Sequence, residues 1–389
     1  MRFFAAAIIH YSLFIIHYEA SAEFIRVGIF TDVKSSQYVF IAANCDYLIT
    51  ADNQKMMTIK KDESITFQLS DGVIIGKYKD QTIGKFARIK CASIDKDGFF
   101  RLKSTKPETS ALPFPDFLEV SVYKERLNAI NVVDLEKYVS SVVEAEAGDN
   151  TNSEFLKVQA IICRTFALGH LTRHLSQGYQ VCDNIHCQVF LSKSRFNPAV
   201  QEAVEQTRNI VIADSKNHLI TGAFHSNCGG QTANAKDAWS TYVPCLKSVR
   251  DTFCLHSPHA VWQKTIAKKT WVNYLRKKNI PVADSLLSDS SFTFIQSSRE
   301  NNYCFNTDTI SLKSIRYDFK LKSTYFNILP QSGDSLLFQG FGYGHGVGLC
   351  QEGAMKMADY GYKMKDIINF YFKGISLVNY DTIKFLKEK

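Results

Sequence analysis

Apolar and polar residues alternate over short stretches through the first third of the chain. From Phe24 the sequence runs FIRVGIF, followed by YVFIAA, YLIT, SITFQL, GVIIGKY and FARIKC, separated by Asp, Asn and Gly. Alternation of period two, rich in β-branched and aromatic residues and punctuated by turn formers, predicts a succession of short strands. The prolines and Ser/Thr residues of KSTKPETSALPFPDF predict a link or long turn, and the strand pattern resumes in LEVSVYKERLNAINVV. A boundary near residue 115 is therefore expected.

The period then changes. In DLEKYVSSVVEAEAG, Leu135, Val139, Val142, Val143 and Ala147 recur at three- and four-residue spacings, with Asp134 as N-cap and Gly148 as the stop. SEFLKVQAIICRTFALGHLTRHL predicts a second helix with a wide apolar face through Phe155, Val158, Ile161, Ile162, Phe166 and Leu168. Further on, AVQEAVEQTRNIVIAD reads as helix then strand, LITGAFHSNCGGQT as strand then Gly turn, and KMKDIINFYFKGI as a terminal helix. The fold class expected is α+β: a β-rich amino-terminal part over residues 23–115, then a mixed helical and β domain over 116–389.

Composition is that of a globular protein: 389 residues, 45% hydrophobic and 22% charged, which excludes a disordered chain. Residues 1–22, MRFFAAAIIHYSLFIIHYEASA, have one Arg, an apolar stretch and Ala20-Ser21-Ala22 as a small-x-small site, so a secretory signal peptide cut after Ala22 is expected, with the mature chain starting at Glu23. Export places the ten cysteines in an oxidising compartment, where some bridging is expected. The net charge of +8 suits anionic surfaces such as cell-wall polymers or lipid headgroups. No nucleic-acid module is recognisable. The glycine-rich run GFGYGHGVGLCQEG, residues 340–353, has neither the dinucleotide spacing nor a Gly-Lys-Ser/Thr, so no nucleotide site is expected.

Glu146 falls at the carboxyl end of the first helix, where an acid gains nothing from the helix dipole. Arg164 lies in an otherwise apolar helical run and requires a partner, for which a carboxylate on the neighbouring helix is the natural candidate. His174, Cys182, His186 and Cys187 supply four zinc-type ligands within fourteen residues. Four protein ligands make a closed, structural site; the alternative is a Cys182–Cys187 disulfide with two surface histidines. His225 and Ser226 adjoin on an expected strand, so they face opposite ways and cannot form a dyad. With Gly229, Gly230, Asp237 and Trp239 they fit carbohydrate recognition better. Cys245 and Cys254 could close a small loop, with Cys228 as a competing partner.

Several of these segments, in this order, resemble the stage II sporulation protein D family, which includes the amidase enhancers. VVEAEAGDN with VQAIICRTFALGH, HLSQGYQVCDNIHCQVF, AFHSNCGGQTANAKDAW and GYGHGVGLCQEGAMKMADYGYKMKDIINFYFKGI carry the likeness. The resemblance implies an exported peptidoglycan-active protein, a lytic transglycosylase acting on peptide-stripped glycan strands, and a glycan-binding groove. It implies Glu146 as catalytic acid with Arg164 matching the family's arginine, and a zinc on His174, Cys182, His186 and Cys187. His225, Ser226, Gly229, Gly230, Asp237, Trp239, His345 and Gln351 are then expected along the groove. Glu144 is a second carboxylate near the acid, and Cys350 stands where the family often has Ser. Hydrolysis by a Glu144/Glu146 pair is disfavoured, because residues two apart on a helix do not face each other. The rival implication is a non-catalytic wall-binding protein that recruits or activates a cell-wall amidase.

Overall fold

The computed structural model describes residues 24–148, 151–191, 197–282, 289–331 and 333–383. The expected leader, residues 1–22, lies outside the described residues.

The alternating stretches become β1 (Phe24–Ile29), β2 (Gln37–Ala42), β3 (Tyr47–Ala51), β4 (Gln54–Ile59), β5 (Ser64–Ser70), β6 (Val73–Tyr78), β7 (Gln81–Phe86), β8 (Arg88–Ser93), β9 (Phe99–Lys106), β10 (Leu112–Pro115), β11 (Phe117–Tyr123) and β12 (Arg126–Asp134). With the short β13 (Val181–Cys182), they form a seven-stranded sheet of order β13-β1-β12-β11-β8-β3-β4 and a six-stranded sheet of order β10-β9-β2-β5-β6-β7. Apolar side chains of alternate residues meet between the sheets. Phe40 and Phe100 of one stack at 5.2 Å and Tyr47 of the other packs edge-on to Phe40 at 5.1 Å. Each such aromatic pair is worth about 0.5–1.5 kcal/mol beyond the area it buries. Residue 115 closes β10, and the chain on either side of it feeds the same two sheets: β11 returns beside β8, and β1 lies between β12 and β13.

Asp134 ends β12 and caps α1 (Leu135–Ala147), its carboxylate accepting from the amides of Glu136 and Lys137. Such a cap is worth about 1 kcal/mol and fixes where the strand becomes a helix. α2 (Ser153–Gly169) is wrapped by neighbours and buries Phe155, Val158, Ile161, Ile162 and Leu168, the face its spacing predicts. It covers that apolar face but is shorter than the predicted segment, which runs to Leu175: it stops at Gly169, and the chain turns so that His174 comes back against Cys187. α3 (Pro198–Gln206) and β14 (Ile210–Asp214) pack on α2 as the helix-then-strand reading anticipates.

β15 (Phe224–His225) and α4 (Ala235–Trp239) follow, and then a separate unit with its own core. It comprises β16 (Val261–Ala267), α5 (Lys268–Lys277), β17 (Asn302–Phe305), β18 (Asp308–Ser311), α6 (Leu312–Asp318), β19 (Phe326–Gln331) and β20 (Ser335–Phe341). Trp271, Phe292, Tyr303, Phe326 and Phe338 fill its centre. The unit enters and leaves at one point, where Val261 pairs with Phe341. β21 (Leu349–Cys350) lies parallel to β15, followed by α7 (Gln351–Asp359), α8 (Met364–Tyr371) and β22 (Ile375–Asn379), which pairs with β14. The expected terminal helix is α8. The expected strand over LITGAFH is reduced to the two residues of β15: Leu219 meets β14 only as an isolated bridge to Ala213, and the Ala223 amide turns back onto the Thr221 carbonyl. The protein is α+β.

Candidate functional site

A cleft of about 580 Å³ opens where the carboxyl end of α1 meets the turn after β13, the segment leading into β15, and the glycine-rich run. Glu146, His186, Cys187, Gln188, Trp239 and His345 are among the residues that line it. Glu146 is half-buried on α1, one residue before the helix ends at Ala147 and two before Gly148 turns the chain away with φ of 71°. Burial raises its pKa from the ordinary carboxyl value, and the Val189 backbone N–H, which donates to its carboxylate, pulls the other way. A carboxyl desolvated without a cationic partner holds its proton to higher pH. Such a group can give a proton to a leaving oxygen.

The Val189 amide connects the acid to the neighbouring cysteine and histidine cluster. His174, Cys182, His186 and Cys187 bring one ligand atom each to within 4.8 Å of one another. Cys187 Sγ lies 3.4 Å from His174 Nε2 and 3.9 Å from His186 Nδ1, and Cys182 Sγ lies 3.8 Å from the same His186 nitrogen. A tetrahedral zinc with Zn–S of about 2.3 Å and Zn–N of about 2.0 Å separates its donors by roughly 3.3–3.8 Å, so the set fits such an ion. Cys182 and Cys187 are both free thiols, not a disulfide. Val189 follows Cys187 by two residues, so whatever fixes the cluster also fixes the amide that holds the acid.

The remaining expected residues divide by position. Trp239 and His345 face each other at 5.3 Å in the same cleft as Glu146. The His345 ring is a wall rather than a free donor. Its Nδ1 accepts from the Val347 amide at 3.0 Å, the Phe224 backbone accepts a further hydrogen bond from the ring, and burial lowers its pKa to about 4. His225 sits behind it at 5.6 Å, donating from Nδ1 to the Val347 carbonyl, its pKa also driven down by burial. Both rings are thus neutral near pH 7. Ser226 points the other way, to His259 at 3.5 Å, as alternation along a strand requires. Gln351 reaches the Glu146 backbone carbonyl at 3.4 Å from behind, tying α7 to the end of α1. Asp237 is exposed beside a separate cavity of about 120 Å³ and accepts from Asn234 and Asn301.

Arg164 is not brought to Glu146. It is fully buried and grips Glu136, at the other end of α1, through Nε at 2.8 Å and Nη2 at 2.5 Å, with its third nitrogen on the Ile210 carbonyl. The partner is a carboxylate on the neighbouring helix, as its position predicts, but it is Glu136. Arg164 therefore positions α1 on α2. Glu144 accepts from the Asn197 amide at 2.8 Å, at the start of α3. A larger cavity of about 720 Å³ lies by Asp116, Glu136 and Lys137, but those charges are already paired with one another or with Arg164, which makes it a poor seat for chemistry.

Gly229 and Gly342 explain what the glycine-rich segments do. Both have positive φ, 68° and 74°, and their backbones cross so closely that a Cβ on Gly229 would lie 2.6 Å from the Phe341 backbone carbon and one on Gly342 2.5 Å from the Asn227 carbonyl oxygen. Neither position admits a side chain. Gly230 continues the same turn. These residues bring two loops together below the cleft rather than contacting its contents.

The Val189 amide and the cleft residues His170 and Arg173 were not legible in sequence. A backbone donor leaves no compositional trace, and the two basic residues matter only because α2 ends where it does.

A model of the family described as Stage II sporulation protein matches residues 123–213, which span the β11–β12 turn through β14, including α1, α2 and the cysteine and histidine cluster. An uncharacterised protein of Brachyspira hyodysenteriae is 28% identical over 265 residues, covering 67% of this chain and 71% of that protein. Stage II sporulation protein D of Bacillus subtilis is 27% identical over 305 residues, 74% of this chain and 88% of its own length. The amidase enhancer of the same organism is 26% identical over 296 residues, 62% of this chain but 40% of that longer protein.

Proposed function

Because the chain belongs to the stage II sporulation protein D family, we propose that it is an exported lytic transglycosylase that cuts the MurNAc–GlcNAc bond of peptidoglycan glycan strands, with Glu146 as acid and then base. The observation that carries this reading is the isolated, half-buried Glu146 in a cleft with an aromatic wall. No helix among the described residues is long and apolar enough to cross a membrane. Work on cell-wall glycan outside the cytoplasm agrees with the sporulation and amidase-enhancer names of the relatives.

The chemistry needs one carboxyl group. Protonated Glu146 gives its proton to the oxygen that joins C1 of MurNAc to the next sugar, and the C1–O bond breaks with charge developing at C1. The 6-hydroxyl of the same MurNAc then attacks C1, and its proton passes to the Glu146 carboxylate. The products are a 1,6-anhydro end and a free 4-hydroxyl, and Glu146 is again protonated without consumption of water. Ordinary glycoside hydrolysis uses two carboxylates. Glu144, engaged at the start of α3, does not supply the second. Trp239 offers a flat face to a sugar ring, and Arg173 at the cleft edge is a cationic group suited to anionic wall polymers.

His174, Cys182, His186 and Cys187 would hold a structural zinc, which supplies a rigid cross-link and no step in the reaction. Through Val189 that cross-link orients the acid.

Purified protein incubated with peptide-stripped glycan tests the activity: release of short glycan fragments is expected. A second reading, a non-catalytic wall protein that enhances or recruits an amidase, follows from the amidase-enhancer relative. Intact glycan after incubation, together with faster peptide release by an added amidase, would favour that reading.

A further inference from the structure

Outside the cleft, three cysteines and an aspartate converge. Cys228 follows β15, Asp251 and Cys254 come from one turn, and Cys350 ends β21 and caps α7. One ligand atom from each lies within 4.8 Å of the others, and all four residues are buried. Cys228 Sγ is 3.4 Å from Cys254 Sγ and 3.3 Å from Asp251 Oδ2. We propose that Cys228, Asp251, Cys254 and Cys350 form a second closed metal site, suited to zinc, that clamps the loops beneath the cleft.

Three observations support a metal over a bare thiol cluster. Donor separations near 3.4 Å approach the roughly 3.5–3.8 Å of a tetrahedral zinc with sulfur and oxygen ligands. The surroundings suit anionic donors: Cys350 Sγ accepts from the amides of Cys228 and Gly353 at the amino end of α7, and Tyr371 donates to Asp251 Oδ2 at 2.9 Å. Such outer hydrogen bonds orient ligands and spread their charge. Finally, Asp251 is 0% exposed, yet among the described residues no Lys, Arg or His forms an ion pair with it. A carboxylate buried without a cation is costly, and a divalent ion held with thiolates supplies that cation. Gly353 has the close packing such a site needs, since a Cβ there would collide with both Asp251 Oδ2 and the Tyr371 hydroxyl.

The competing arrangement is a Cys228–Cys254 disulfide, which would bring sulfurs now 3.4 Å apart to about 2.05 Å and leave Asp251 without a counter-ion. Metal binding instead sends the thiol protons to solvent and oxidises nothing. The site would join β15, which carries His225, to β21 and α7, and so hold the wall of the cleft from below.

Zinc is counted in the wild-type chain, in a Cys182→Ser/Cys187→Ser variant and in a Cys228→Ser/Cys254→Ser variant. The expected numbers are two, one and one per chain, and X-ray absorption of the first variant should give three sulfurs and one oxygen around its zinc. A zinc-free Cys182→Ser/Cys187→Ser variant that remains folded overturns the proposal. If either variant fails to fold, the wild type decides by peptide mapping without reductant: two zinc ions and no bridge support the second site, and a mapped Cys228–Cys254 disulfide or fewer than two zinc ions overturns it.

Discussion

The two ends of α1 carry glutamates in opposite circumstances. Glu136 is gripped by the two-pronged guanidinium of Arg164, while Glu146, ten residues or about 15 Å further along, has a single backbone amide and an open cleft. A carboxylate clamped by a guanidinium serves the fold. One desolvated without a cation holds its proton to higher pH and can lend it. In the proposed function, the same helix separates a structural acid from a chemical one.

The sharpest way to break this contrast is Glu146→Gln, which keeps an acceptor for the Val189 amide and removes the transferable proton. Glycan cleavage should fall by about 10²- to 10⁴-fold, read by fragment release, with thermal unfolding unchanged. Arg164→Ala tests the other end. It strands Glu136 without its cation and should lower stability by about 3–5 kcal/mol, measured by denaturant unfolding. Wild-type-like stability for Arg164→Ala would remove the structural half of the contrast.

Metal removal sharpens the link between the two roles. Stripping the proposed zinc from His174, Cys182, His186 and Cys187 should loosen the segment that carries Val189 and reduce cleavage by up to about 10²-fold through misplacement of the acid, with the two amino-terminal sheets still folded by circular dichroism. The pH profile adds a gentler test. Burial raises the Glu146 pKa, and the proposed mechanism uses its protonated form, so cleavage should be greatest below that pKa and decline as pH rises through it. The limb should be absent from whatever activity Glu146→Gln retains. The smallest effect is expected of Glu144→Gln, which keeps an oxygen for the Asn197 amide. It should cost no more than about 1 kcal/mol of stability and leave cleavage near wild-type.

Local rules made much of this legible. Asp134, Gly148 and the apolar spacing between them define α1 in sequence as in the structure, and that helix alone puts Glu146 at a helix end. Likewise, the four metal-type residues were visible as a cluster because they lie within fourteen positions. What the sequence hid depends on chain crossings. Arg164 can be assigned a carboxylate partner, but the choice of Glu136 over Glu146 rests on how far α2 slides along α1. Alternation implies that His225 and Ser226 diverge, yet that His225 backs the cleft and Ser226 meets His259 follows only from β15 pairing with β21. The cluster of Cys228, Asp251, Cys254 and Cys350 spans more than a hundred positions, and the unit with Trp271 at its core interrupts them, so no local spacing announces it.

In the proposed mechanism one carboxyl group cuts the glycan without water. Mass spectrometry of the new ends formed by wild-type protein on peptide-stripped glycan, in water enriched with ¹⁸O, tests it directly. The expected ends are 1,6-anhydro-MurNAc free of ¹⁸O; reducing ends carrying ¹⁸O would make water the nucleophile and rule the intramolecular attack out.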